Sequence, residues 1–198
     1  MMVIWPAEGI CRRGIELKTV PLTLINITLD IYYQLLTISN MKLSRPIKFI
    51  IAIFVPQMTG AIGSFFTTPS IPTWYAELAK PELAPPNWVF APVWISLFIL
   101  MGVAAFLVWD KGLGRRKVQI ALGVFVFQLV LNTLWSVIFF GFQNPGWALA
   151  WIILLNLIVV VNIYLFARIS RLAGLILLPY LLWLGFATYL NYAIWVLN

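Results

Sequence analysis

Residues 91–109 read APVWISLFILMGVAAFLVW, a run without one charged side chain that stops at the polar segment 110–117, DKGLGRRK. A helix of that length is roughly 28 Å long, about the thickness of the hydrocarbon layer of a bilayer. At that depth only a helix or a closed barrel can satisfy its own backbone. Working outward, four further apolar runs occupy 46–66, 118–142, 147–167 and 175–198. Pro56 and Gly60 would break a soluble helix in the first of them, but neighbouring helices can re-satisfy the backbone inside a membrane. The connections 110–117, GFQNPG (141–146) and RISRLAG (168–174) are short. A longer, proline-punctuated loop, TTPSIPTWYAELAKPELAPPNW (67–88), joins the first two runs and has room for a helical turn around 74–79. The expected fold class is therefore an all-α membrane protein, a bundle of five transmembrane helices.

Composition agrees with this. Of 198 residues 63% are hydrophobic and 10% charged, and the mean hydropathy is +0.98. No soluble domain of this size keeps such a balance in water. The transmembrane domain is expected over 41–198. Residues 1–40 mix Glu8, Arg12, Arg13, Glu16, Lys18 and Asp30 with a moderately apolar stretch, too polar for a sixth span and without the cleavage site of a secretory signal. They are expected to form an N-terminal extension, disordered or lying in the membrane interface, with Met41 as an alternative start.

The 13 Lys and Arg against 6 Asp and Glu sit at the ends of the apolar runs, which points to membrane orientation and not to nucleic acid. Lys42, Arg45 and Lys48 precede the first span. Lys111, Arg115, Arg116 and Lys117 follow the second, and Arg168 and Arg171 follow the fourth, whereas the opposite side holds only Lys80. The positive-inside rule puts the N-terminus and the basic loops in the cytoplasm and the C-terminus outside, and the expected location is a prokaryotic cell membrane. With no His and a single Cys, hydrolytic triads and His-based metal sites are excluded, and no metal site is expected. Asp, Glu, Lys, Arg and His are absent from 49–71, 83–109, 118–167 and 172–198, which argues against an ion-coupled pump.

Ten Trp, seven Tyr and fourteen Phe exceed what an interfacial aromatic belt requires. Trp5, Trp74, Trp88, Trp109 and Trp195 fit the belt, but Trp135 and Trp183 lie inside their runs. In the third run Gln128, Asn132, Trp135 and Phe139 follow i, i+4, i+7, i+11 and share one face. Tyr180, Trp183, Ala187 and Asn191 repeat the spacing in the fifth run, as do Trp94, Phe98, Met101 and Ala105 in the second. The amides must point inward, because an unpaired amide facing lipid costs several kcal/mol. There they either bond helix to helix or line a pocket with aromatic walls, with tetrapyrroles, sterols and planar heteroaromatics as candidate ligands.

Residues 74–102 (WYAELAKPELAPPNWVFAPVWISLFILMG), 131–141 (LNTLWSVIFFG), 145–149 (PGWAL) and 179–195 (PYLLWLGFATYLNYAIW) closely resemble the TspO/MBR family, the tryptophan-rich sensory and translocator proteins, also called peripheral-type benzodiazepine receptors. The resemblance covers about 41–198. It implies a five-helix bundle, often a homodimer, whose pocket beneath the first loop accepts porphyrins such as protoporphyrin IX and isoquinoline or benzodiazepine-like drugs. By motif position it implies Trp94, Asn132 and Trp183 as pocket residues, Tyr75 as the residue closing the mouth, and Phe98, Trp135, Phe139, Trp147 and Ala187 as pocket wall. The cholesterol motif of animal members is incomplete, since no basic residue follows Arg171. A tetrapyrrole sensor or receptor that needs no cofactor is the expected function. Oxidative, light-driven porphyrin degradation using Trp94 and Trp183, or passive translocation of porphyrin or lipid, are the alternatives.

Overall fold

The computed structural model describes residues 43–198, and the extension expected over 1–40 lies outside them. Every regular element among the described residues is helical. Helix α1 covers Arg45–Ser70, α2 is the short turn Trp74–Glu77, α3 covers Asn87–Trp109 and α4 covers Arg116–Ser136. A π-helical turn, Val137–Gly141, continues α4; α5 covers Pro145–Ala167, α6 Arg171–Ile176 and α7 Leu178–Leu197. Counting α4 with its π turn and α6 with α7, five segments among the described residues are long and apolar enough to span a membrane.

Local chemistry places the ends. Pro46 occupies the first turn of α1, where its missing N–H costs nothing. Asn144 caps α5 by accepting from the Trp147 amide at 3.1 Å, and the Ser170 hydroxyl caps α6. The fifth span therefore starts at Arg171, four residues before the expected 175, because Ser170 supplies a start signal. At Pro179 that span is divided into α6 and α7. Pro56 is accommodated within a continuous α1.

Helix α1 lies between α3 and α4, α5 between α4 and the α6–α7 pair, and α3 closes the ring against α6. At Gly102 the contact of α3 with α1 is so close that a Cβ would sit 2.7 Å from the Ala52 carbonyl oxygen. The interior contains Met101, Ala104, Val108, Phe125, Ile152, Phe166 and Leu184, while outward residues such as Phe65 and Leu182 are three-quarters exposed to the position of lipid (77% and 75%). At the basic end Arg45 Nε and Asp110 Oδ2 form an ion pair of 2.9 Å, linking the start of α1 to the end of α3.

Candidate functional site

A cavity of about 450 Å³ lies between α1, α3 and α4, at the end of the bundle away from the basic loops. Helix α1 makes room for it with small and polar side chains: Gln57, Gly60, Gly63, Ser64 and Thr67 line one wall. Gly60 is required there, since a Cβ would run into the Phe98 ring. Phe90, Trp94 and Phe98 of α3 form the aromatic wall, and Asn132, Ser136 and Phe140 close the third side. Trp94 stands 5.5 Å from Phe98 in a tilted pair and 6.3 Å from Tyr180 edge-on, which fixes its plane. None of the described lining residues is charged.

Tyr75 of α2 covers the mouth, buried against Phe139 and Phe140. Burial raises its phenol above the ordinary 10.0, and the Lys80 ammonium stands 4.7 Å over its ring. The cover is held at two points. Ser70 donates to the Phe140 carbonyl at 3.0 Å. At the other, the Asn198 side chain accepts from the Ala79 amide at 3.0 Å and donates to the Ala79 carbonyl at 3.1 Å.

Behind the cavity runs a chain of buried polar groups. Asn132 Nδ2 donates to Tyr180 Oη at 3.1 Å, and that hydroxyl donates to Gln128 Oε1 at 3.0 Å. Gln128 Nε2 points at Met101 Sδ, 3.6 Å away. Asn132 therefore both joins α4 to α7 and presents part of its amide to the cavity.

The TspO/MBR family profile matches residues 52–196. The chain belongs to the TspO/MBR family. It is similar to the tryptophan-rich protein TspO of Archaeoglobus fulgidus, with 43% identity over 77% of this chain and 97% of that one. It also resembles the human translocator protein, at 41% identity over 71% of this chain and 84% of the other. A tryptophan-rich sensory protein of Cereibacter sphaeroides is 36% identical over 80% of this chain and 94% of its own. With five membrane-length apolar helices, this TspO/MBR chain is an integral membrane protein.

Of the residues singled out in the TspO/MBR pattern, the structure gathers Tyr75, Trp94, Phe98 and Asn132 around the cavity. The remaining five lie elsewhere. Trp135 and Asn191, on α4 and α7, bond to each other at 3.1 Å, so this part of the two aromatic faces meets and fills instead of forming a wall. Phe139 packs under the loop against Trp74 and Tyr75, because the π turn advances the register by one residue and brings Phe140 to the cavity. Trp147 is 72% exposed at the start of α5, turned away from the interior. Trp183 packs on Phe90, behind the aromatic wall, with its indole N–H enclosed and without an acceptor among the described residues. Ala187 is buried in the core of the bundle.

Sequence reasoning missed the α1 wall. Its signal was present: Gln57, Gly60, Ser64 and Thr67 recur at helical spacing in a span whose other residues are mostly large and apolar.

Proposed function

We propose that the protein is a membrane-embedded receptor of the TspO type that takes a flat, largely apolar ligand, a tetrapyrrole such as protoporphyrin IX, into the cavity beneath the loop 71–86. The observation that carries this reading is a membrane-depth cavity with no charged residue among its described lining, the Trp94 ring on one side and the buried amide of Asn132 on another. Aromatic walls with few polar groups suit a planar ligand, the ring supplying stacking area and the amide fixing orientation. Isoquinoline or benzodiazepine-like molecules share that shape. Sensing requires only that occupancy of the cavity shift the cover that carries Tyr75.

The same reading places the basic end, with Arg45, Lys111, Arg116 and Arg171, in the cytoplasm of a prokaryotic cell, so that the cavity and the C-terminus lie toward the outside. It also takes the working unit as a homodimer, which cross-linking in native membranes would register as a band of twice the monomer mass.

The test is a titration of the purified protein with protoporphyrin IX, following Trp emission and the porphyrin Soret band in darkness and under light. Saturable quenching with a stable Soret band is the expected result, with affinity weakened about threefold in Trp94→Phe, whose smaller ring stacks over less area. Light-dependent bleaching that disappears in Trp94→Phe would favour the degrading enzyme instead. Quenching that never saturates would remove the tetrapyrrole assignment.

A further inference from the structure

The two ends of the Asn132 amide have different fates. Its Nδ2 starts the relay to Tyr180, Gln128 and Met101, and all four of these side chains belong to residues at most 6% exposed. A chain of amide, hydroxyl and amide can run in either of two senses. In the reverse sense Gln128 Nε2 would donate to Tyr180, Tyr180 would donate to Asn132 Oδ1, and the Asn132 NH₂ would face the cavity. Gln128 Oε1 would then face the Met101 thioether. A thioether carries lone pairs and no hydrogen, so it accepts and never donates. Carbonyl and sulfur would meet with no proton between them at two side chains at most 1% exposed, which leaves a buried acceptor unsatisfied. Met101 thus fixes the sense of the whole relay.

The effect emerges at the other end. Asn132 Oδ1 accepts no hydrogen bond from any described residue, and among the described residues Trp183 Nε1 is the one fully enclosed side-chain nitrogen or oxygen without a partner. Oδ1 is therefore accessible, and the space it reaches is the cavity that Asn132 lines.

The geometry points to Met101 as a specificity-determining residue: through Gln128 and Tyr180 it holds Asn132 as a hydrogen-bond acceptor, so the cavity selects flat ligands that offer an N–H or O–H at their edge. At this amide an isosteric ligand offering an acceptor meets carbonyl against acceptor and binds more weakly. This rests on the reading of the cavity as a ligand site. Met101 itself touches no ligand and acts by positioning.

Three tricyclic probes of nearly identical shape separate the terms: carbazole presents an N–H, dibenzofuran an oxygen acceptor and fluorene neither. They are titrated by calorimetry into the full chain in lipid nanodiscs, with protoporphyrin IX run in parallel. Carbazole is expected to bind about tenfold more tightly than dibenzofuran, with fluorene between them. Met101→Leu conserves volume but removes the sulfur acceptor, and the preference should shrink to within about threefold. Tyr180→Phe, which removes the hydroxyl that transmits the sense, should do the same and decides the matter if the Met101 variant does not fold. A merely structural role for Met101 would change all three affinities together and leave their ratio intact. That outcome overturns the inference. So do equal affinities in the unaltered protein, or no probe binding beside saturable protoporphyrin IX, both of which leave the tetrapyrrole reading standing. If neither the probes nor the porphyrin bind, the cavity reading falls and the inference falls with it.

Discussion

The indole N–H of Trp135 donates to the side-chain carbonyl of Asn191 across 3.1 Å, and the Asn191 NH₂ donates in turn to the Pro145 carbonyl at 2.8 Å. One amide thereby ties α4, α5 and α7 together at the end of the bundle that carries the cavity. Pro145 opens α5, so the bond from Asn191 adds a second donor to a carbonyl of the first helical turn and anchors the start of that helix. The aromatic ring that looked like pocket wall is a structural joint.

Replacing Asn191 by Leu leaves the half-buried Trp135 indole donor without its acceptor and removes the tie to the start of α5, and should cost about 1–3 kcal/mol. Trp135→Phe removes only the donor and should cost less. Thermal unfolding in detergent micelles orders the two variants. Since neither residue lines the cavity, ligand affinity of the folded fraction should stay within about twofold of the unaltered protein.

Close approach of α1 and α3 at Gly102 sets a second expectation. A side chain there meets backbone, with the Ala52 oxygen and Ile53 Cα both 2.7 Å from an added Cβ, and backbone cannot swing aside as a rotamer can. Gly102→Ala should therefore destabilise by roughly 1–3 kcal/mol. Gly123, on the outer face of α4, has nothing within 4 Å of an added Cβ. Gly123→Ala should be neutral or stabilising by up to about 1 kcal/mol. A pair of melting curves with equal shifts would contradict the packing described here.

Much of this architecture was legible in the sequence, because hydropathy and loop charge act over whole segments. The five spans and the turn around Trp74 follow from where apolar runs stop. Inward placement of Gln128, Asn132 and Asn191 follows from the cost of an amide in lipid, and all three are buried. The site was legible only in part. Periodicity assigns a side chain to a face but not to the helix it meets, so the α4 and α7 stripes could not be told apart as wall or as joint. The π turn at Val137–Gly141 depends on tertiary partners such as Ser70, 70 residues away, which satisfies the Phe140 carbonyl. No spacing rule within α4 foretells it. On α1 the cavity is lined by absence of bulk at Gly60 and Gly63, and a search for aromatic and amide residues passes over glycine.

The Asn198 clasp yields a third prediction. Its amide matches both the N–H and the C=O of Ala79, a two-point grip on the far end of the cover whose other edge is pinned by Ser70. Asn198→Ala should release that end without disturbing the spans, which are packed independently of it. Hydrogen exchange would register faster exchange of the Ala79 amide, with the interior of α5 unchanged. Ligand dissociation should quicken several-fold if the cover gates the cavity, since loosening a cover acts mainly on the off-rate. Unchanged exchange at Ala79 would mean that the clasp contributes nothing in solution.

Tyr75 supplies a prediction in pH. Its phenol, on the inner side of the cover, is buried against Phe139 and Phe140, and desolvation raises its pKa above 10.0, because the phenolate would lose its water and gain no hydrogen bond in return. The neutral phenol is the form the fold accepts. Below pH 10 both folded and unfolded chains keep the proton, and stability is independent of this group. As pH rises through the ordinary value the unfolded chain releases the proton first and the folded chain binds more, so stability falls with pH until the raised folded pKa is passed. Tyr75→Phe has no proton to lose, and its melting temperature should decline less between pH 9 and 11 than that of the unaltered protein. Parallel declines would show that the Tyr75 ring is open to water in solution and that the cover over the cavity is not closed.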